Sequence, residues 1–329
     1  MIRPLLWPLT PLYAAALATK NAAYDRGWLK AQRLKWPVVS IGNISVGGSG
    51  KTPLVIAIAD LLVQHGIRIN VLSRGYGRSS DAVERVDTTG NSERFGDEPL
   101  LIAQAANVSV YVGASRYAAG LLAEKEQPGL CVHLLDDGFQ HRKLARSVDI
   151  VVVHRSDFEE ALLPSGSLRE PLSALQRASI LVVRKEDADL EVRLRQQGIE
   201  VPIWWVERST QTPQNAGRTL AFCGIARPEE FFLSLKADGI DTVATQAFHD
   251  HHGYGKADIE QLTDAAKAHA AQTFLTTEKD SVRLSLEQRD ALSKVAPLKT
   301  VKLTARFLDE TAVLQQLLAW LPAISDHPV

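Results

Sequence analysis

Ser45-Val46-Gly47-Gly48-Ser49-Gly50-Lys51-Thr52 sets a glycine-rich turn, a lysine and a hydroxyl in the order that holds a nucleoside triphosphate. Glycines let backbone N–H groups crowd around phosphate oxygens, a lysine in this place reaches the β and γ groups, and the Thr52 hydroxyl can ligate Mg²⁺. The common pattern G-x-x-x-x-G-K-[ST] opens on glycine where this chain has Ser45. The flanks supply the context. Val38-Val39-Ser40-Ile41, after Pro37, is short, apolar and β-branched and reads as a buried strand. Pro53 suits a first helical position, and Leu54, Val55, Ile58, Leu61 and Leu62 recur with helical spacing up to His65-Gly66. Strand, loop and helix therefore follow in the needed order, with the positive helix end turned to the phosphates.

At 329 residues the chain exceeds the usual single core, so two domains are expected. With 45% hydrophobic and 23% charged residues and a formal net charge of −1, it offers no global attraction for nucleic acid, and none is expected as a partner. Cys131 and Cys223 stand far apart without metal-ligand spacing, which excludes a disulfide framework and a zinc site and fits a reducing cytoplasm holding ATP.

The amino end departs from this average. Residues 1–23 carry Leu5, Leu6, Trp7, Leu9, Leu12, Tyr13 and Leu17, but Pro4, Pro8 and Pro11 break the run, which is too short to read as a bilayer span. Ala16-Leu17-Ala18 resembles a cleavage site, yet export would part the nucleotide loop from ATP. Lys20, Arg26, Lys30, Arg33 and Lys35 follow against the single acid Asp25. Two readings stand side by side: an interfacial anchor on anionic lipid over residues 1–35, and a helix packed on its own domain with a solvated basic face.

Apolar runs at residues 67–72, 108–112, 131–135, 149–153 and 180–183 read as strands, and residues 99–106 and 117–124 as helices, with a polar loop or hairpin over 79–96. Strands alternating with helices imply an α/β fold of the P-loop NTPase type, a mostly parallel sheet with flanking helices and ligands at the carboxyl ends of its strands. The polar stretch 206–218 is taken as the boundary between a first domain, residues 1–207, and a second, smaller α/β domain, residues 208–329. The second has strands over 219–223, 242–247 and 273–276 and helices near 228–236, 256–270 and 308–320.

Several polar clusters fall at strand ends. Asp136-Asp137 closes an apolar strand, where a P-loop enzyme sets a carboxylate beside Mg²⁺, although paired acids there also serve as turns or caps. Gly96-Asp97-Glu98-Pro99 has the form of an ordinary helix cap. Phe248-His249-Asp250-His251-His252-Gly253-Tyr254 admits an acid/base role, a metal site or a surface loop. Thr276-Thr277-Glu278-Lys279-Asp280 stands where GTPases read guanine, but its lysine and aspartate are adjacent rather than separated, which argues against guanine selectivity.

Taken in order, Gly42-Asn43 through Thr52, Ser73-Arg74-Gly75-Tyr76-Gly77-Arg78, Gly96-Asp97-Glu98-Pro99, Asp136-Asp137-Gly138-Phe139-Gln140-His141, Leu168-Arg169-Glu170-Pro171, Phe248 to His252 and Thr276 to Asp280 resemble the tetraacyldisaccharide 4′-kinase family along about the whole chain. The resemblance implies transfer of the ATP γ-phosphoryl group to the 4′-hydroxyl of a tetraacyldisaccharide 1-phosphate, giving lipid IVA for lipid A at the cytoplasmic face of the bacterial inner membrane. It implies that Asp97 is the base, in a dyad with His251, and that Lys51 also acts in catalysis. It further implies that Thr52, Asp136, Asp137 and Glu170 serve the Mg²⁺–ATP centre, and that Lys279 and Asp280 lie near the nucleotide under a closing second domain. Arg74, Arg78, Arg116 and Arg142 are the candidates for a lipid or transferred phosphate, because guanidinium groups grip phosphate bidentately. With a four-chain acceptor, the family setting favours the interfacial reading of residues 1–35 and a peripheral enzyme, expected to act as a monomer. The alternative is a P-loop ATPase or GTPase switch of the partitioning kind, which leaves Asp97 and His251 without a role.

Overall fold

A computed structural model describes residues 3–48, 50–214 and 216–321; Ser49 of the nucleotide loop lies outside the described residues. The chain opens with a 3₁₀ turn, Arg3–Leu9, and helix α1, Thr10–Asp25. Strand β1, Val38–Asn43, is buried at every position, as expected for a strand covered on both faces of a parallel sheet. Helix α2, Lys51–Gln64, begins at the lysine itself, so Pro53 occupies its third position, still within the turn whose N–H groups have no helical partner.

The rest of the first block follows with β2 (Ile69–Ser73), β3 (Glu84–Arg85), α3 (Ser92–Phe95), α4 (Asp97–Ala105), β4 (Ser109–Val112), α5 (Arg116–Glu126), β5 (Val132–Asp136), β6 (Val148–Val152), β7 (Ile180–Arg184) and α6 (Asp189–Gln196). The stretch 79–96, read as a loop or hairpin, holds a two-residue edge strand and one turn of helix. β7-β6-β1-β5-β2-β4 lie parallel in that order, and β3 pairs antiparallel at the edge. The chain leaves β1 toward β2 on one side, while β6 flanks β1 on the other. The crevice past the carboxyl ends of β1 and β5 is therefore the switch point where such sheets take ligands.

β8 (Ile203–Gln211) continues the sheet parallel to β7. The second block then adds β9 (Thr219–Cys223), α7 (Pro228–Ala237), β10 (Thr242–Ala247), α8 (Lys256–Ala268), β11 (Thr273–Thr277), α9 (Glu278–Ser281), α10 (Leu286–Ser293) and β12 (Leu298–Phe307). α11 (Glu310–Trp320) closes the described chain. β10-β9-β11-β12 are parallel, and β12 changes partner midway. Its first residues, as far as Val301, pair with β11, and from Lys302 to Phe307 it runs antiparallel to β8. One twelve-stranded sheet results, two parallel blocks joined by the β8–β12 ribbon.

The boundary expected at residue 207 accordingly falls inside a strand rather than in a loop, and no strand was expected over 298–307. The reason is physical. Beyond Val206 the ribbon is solvated, and Glu207-Arg208-Ser209-Thr210-Gln211 alternates exposed with half-buried residues and shows no apolar face. α11 also returns to the first block. Val313 and Leu317 join the core that holds Leu54, Ile58 and Leu62 of α2, and Trp204 Nε1 donates to Gln316 Oε1 at 2.8 Å.

No residue of α1 is buried, and no described helix is long and apolar enough to cross a membrane. Trp7, Leu12 and Trp28 stand 69%, 70% and 73% exposed, an apolar set that folding does not cover. α1 is nevertheless fixed by polar contacts. Tyr13 donates to the Arg169 carbonyl at 2.8 Å, and Arg142 donates to the Asn21 carbonyl and to Asp25 at 3.1 and 2.6 Å.

Candidate active site

Asn43, the last residue of β1, organises the nucleotide loop. Its amide donates to the Ser45 carbonyl at 2.8 Å and to Ser45 Oγ at 3.3 Å, and its Oδ1 accepts from Lys51 Nζ at 3.1 Å. Ser45 thereby uses a hydroxyl where the common pattern has glycine. Gly50 precedes α2 with φ +69°, a conformation costly for side chains, and the Arg208 guanidinium from β8 lies where a Cβ would sit. The linker ribbon thus delivers a cation to the amino end of α2. Burial first, then Arg184, hold Arg208 down to about 10.

Across the crevice, the end of β5 and the start of α4 concentrate acids. Asp136 is fully buried, and its Oδ2 accepts from Ser73 at 2.9 Å, while Oδ1 has no hydrogen-bond partner among the described residues. Burial, then the charges of Glu98 and Asp137, push Asp136 up to about 7. Asp137, at φ +49°, meets Lys51 Nζ at 3.3 Å and Arg169 Nη1 at 2.8 Å. Burial would raise its carboxyl, but these two cations outweigh it and leave Asp137 below its ordinary value. Glu98 receives Lys279 Nζ at 2.6 Å from the second block. A buried carboxylate oxygen without a partner, next to a second acid that meets Lys51, the residue before the buried Thr52, is a donor set that fits Mg²⁺. Glu170 does not join them. Buried at the far side of Arg169, it accepts both Nη groups of Arg177, at 2.8 and 3.1 Å, and the Asn21 amide at 3.1 Å.

The loop after β10 carries His251 to the start of α4. His251 stands at φ +58°, and its Nδ1 lies 3.0 Å from Asp97 Oδ2 and 3.4 Å from Arg283 Nη2. Nδ1 cannot donate to one and accept from the other at once, and the nearer carboxylate assigns it the proton. Arg283 Nε donates to the same Asp97 oxygen at 2.7 Å. Burial would raise the Asp97 carboxyl, but His251 and Arg283 outweigh it and hold Asp97 below its ordinary value. Asp280 lies behind, fully buried, where Oδ1 accepts from Gly224 N and Tyr254 Oη, both at 2.9 Å.

The four arginines separate. Arg116, buried at the start of α5, faces Asp136 and Asp137; burial and then neighbouring Arg74 lower its pKa. Arg74 itself is exposed. Arg78 folds inward, with both terminal nitrogens lacking hydrogen-bond partners among the described residues and Glu84 at 4.0 Å. Arg142 is engaged with α1. His141 sits in this basic surround and is lowered to about 4, by burial first, then by Arg116, Arg146, Lys143 and Lys20. A cleft of about 830 Å³ lined by Arg68, Arg85 and Gln127 opens at the opposite edge of the strands and contains none of these groups.

Glu98, Arg169, Arg208 and Arg283 were not anticipated as site residues. Glu98 and Arg169 stand within strings that drew notice for their neighbours, and Arg283 is one helical turn past Asp280. Arg208 sits in the polar stretch taken for a linker.

A glycine-rich loop between β1 and α2, a buried acid pair on the adjacent strand and an acid–histidine pair brought in across two blocks define a P-loop phosphotransferase. A family model described as tetraacyldisaccharide-1-P 4′-kinase matches residues 2–322, and the chain belongs to that family. Among its relatives, the tetraacyldisaccharide 4′-kinase of Koribacter versatilis is 44% identical over 94% of this chain and 97% of its own. That of Chlorobaculum tepidum is 37% identical over 95% and 96%. A crystal structure of LpxK from Aquifex aeolicus in complex with ATP matches with a TM-score of 0.78 at 30% identity, over 98% of this chain and all of that one.

Proposed function

We propose that this kinase transfers the γ-phosphoryl group of ATP to the 4′-hydroxyl of a tetraacyldisaccharide 1-phosphate, forming lipid IVA in lipid A biosynthesis. The observation that carries the reading is the Asp97–His251 contact at 3.0 Å, which presents a base where an acceptor would enter beside the nucleotide loop. A switch of the partitioning kind passes the phosphoryl group to water alone, and an acid–histidine pair held across two blocks then has no second substrate to serve.

In this reading Lys51 and the backbone of residues 45–52 hold the β and γ phosphates, with Arg208 beside Gly50. Phosphoryl transfer needs positioning and charge stabilisation more than a strong base, so a depressed Asp97 suffices to take the hydroxyl proton as the bond to phosphorus forms. His251 steadies the carboxylate through Nδ1. Thr52, Asp136 and Asp137 would hold Mg²⁺, which when bound neutralises phosphate charge. Glu170, tied to Arg177, supports the Mg²⁺ centre from behind, next to Arg169. Lys279, paired with Glu98, and Asp280, which anchors Arg283 against Asp97, keep the second block closed over ATP, shielding it from water.

Arg74 and Arg116 form the basic side of the crevice and receive the acceptor's phosphate, with the neutral His141 ring beside them. Arg78 and Arg142 shape that wall, Arg142 by seating α1. The exposed Trp7, Leu12 and Trp28, with Arg26, Lys30, Arg33 and Lys35 following, rest on the anionic cytoplasmic face of the inner membrane and bring a single copy of the enzyme to its lipid. The test is incubation of purified protein with γ-labelled ATP and the disaccharide 1-phosphate in mixed micelles. Label must appear in the lipid; hydrolysis of ATP without labelled lipid rejects the function.

A further inference from the structure

Arg283 belongs to no nucleotide or acceptor motif, yet its side chain is 3% exposed and its guanidinium meets groups from both blocks. Nε donates to Asp97 Oδ2 at 2.7 Å, and Nη1 donates to Asp280 Oδ1 at 2.9 Å and to the Gly224 carbonyl at 2.6 Å. Asp280 is itself immobilised by Gly224 N, Tyr254 Oη and Thr277 Oγ1, so the fork stands on a rigid base.

We infer that Arg283 is a positioning residue that locks the Asp97 carboxylate and selects which of its oxygens receives the acceptor proton. This rests on the reading of Asp97 as the base. Both contacts to the carboxylate, from Arg283 Nε and His251 Nδ1, fall on Oδ2. Oδ1 has no partner among the described residues and is the oxygen turned to the acceptor hydroxyl. The proton passes from that hydroxyl to Oδ1 as its oxygen bonds to phosphorus and the bond to the ADP leaving group breaks. Without Arg283 the carboxylate turns about its own axis, and a small misplacement is costly in such a step. A lysine cannot replace the fork, because a single ammonium does not span Asp97, Asp280 and the Gly224 carbonyl in one plane.

The charges around this carboxylate are few. Asp97 faces His251 and Arg283, with Glu98 next on α4, and Arg283 also faces Asp280, Lys279 and Tyr254. Removing the arginine therefore removes the main cation facing Asp97.

The experiment measures lipid phosphorylation against pH in mixed micelles for wild type, Arg283→Met, Arg283→Lys, Asp97→Asn and the Asp97→Asn/Arg283→Met pair. Nucleotide affinity and thermal unfolding are followed in parallel. Arg283→Met is expected to lower kcat about 10²-fold and to move the acid limb of the profile up by about one pH unit, with the KM for ATP little changed. Arg283→Lys keeps the limb within a few tenths of a unit but loses about tenfold in kcat, since the charge remains and the fork does not. In the Asp97→Asn background, Arg283→Met adds less than about threefold, the sign of two residues acting as one. An unmoved limb in Arg283→Met, or equal costs in both backgrounds, overturns the role; if Arg283→Met does not fold, wild-type kcat in Arg283→Lys overturns it alone. Wild-type protein that leaves the disaccharide unlabelled instead rejects the functional reading.

Discussion

Lys279 Nζ lies 2.6 Å from Glu98 Oε1, an ion pair that ties α9 of the second block to the acids at the nucleotide crevice. For Glu98, burial would raise the carboxyl, but Lys279 and then Lys51 outweigh it and hold it ionised. Breaking such a pair from one side leaves an uncompensated charge. Lys279→Met should therefore leave Glu98 repelling the triphosphate and raise the KM for ATP by roughly tenfold. Adding Glu98→Gln should recover part of the loss. A nucleotide titration of the two single variants and the pair checks this; additive effects would deny the coupling.

Asp97→Asn preserves shape and removes the proton acceptor. Turnover should fall by about 10²–10⁴ while ATP affinity stays near wild type, as for loss of a general base. His251→Gln should cost less, about tenfold, since it removes only the carboxylate's partner. Steady-state kinetics with separate ATP-binding measurements distinguishes these; a large loss of ATP affinity in Asp97→Asn would place the residue in nucleotide binding instead.

These two cases mark how far the sequence carries. The nucleotide loop, its strand and its helix are legible because Val38-Val39-Ser40-Ile41 is buried on both faces and the apolar spacing of α2 is regular. The β8–β12 ribbon is not, since its outer half is solvated and its residues have no face to conceal. The contact of Asp97 with Arg283 joins positions 186 residues apart through two loops of different blocks, and no local pattern encodes it. Glu170 is the reverse case. Its neighbourhood in sequence points to the metal centre, while the fold turns its carboxylate to Arg177.

His141 gives a pH prediction whose sign follows from its surroundings. Its folded value, about 4, lies below the ordinary 6.5, so the unfolded chain binds the proton more readily. Stability is then full above about 6.5 and falls as pH drops through 4, by ~1–2 kcal/mol after allowing for partial exposure. His141→Gln should flatten that part of the curve. Urea unfolding from pH 4 to pH 8 reads it directly, and an unchanged slope in the variant would assign the acid loss elsewhere. Inorganic phosphate should reduce the loss in wild type, by offsetting Arg116 and Lys143.

Arg208 stands against the positive end of α2, with Arg184 and the acids Glu230 and Glu186 also acting on it, so its guanidinium lies where the charge of a triphosphate would fall. Arg208→Ala should weaken ATP binding by about tenfold, with a smaller effect on ADP if the γ group is its partner. Calorimetric titration with both nucleotides checks this; equal affinities to wild type would remove Arg208 from the phosphate site.

The membrane prediction is best tested by substitution rather than truncation. Deleting residues 1–23 would remove the exposed Trp7 and Leu12, but also Tyr13 and Asn21, which contact the Arg169 carbonyl and Glu170 beside the crevice. Trp7→Ser with Trp28→Ser removes only exposed rings, so fold and activity on a detergent-dispersed acceptor should persist. Each ring buried at an interface contributes on the order of 1–2 kcal/mol, so the pair should lower partitioning onto vesicles by roughly 10²-fold. Replacing Lys30, Arg33 and Lys35 by glutamine should weaken binding to anionic vesicles and leave neutral ones unaffected, because that attraction is electrostatic and screened by salt. Sedimentation with anionic and neutral vesicles at low and high salt separates the two contributions. Undiminished pelleting of both variants would remove α1 and its basic extension from the membrane surface.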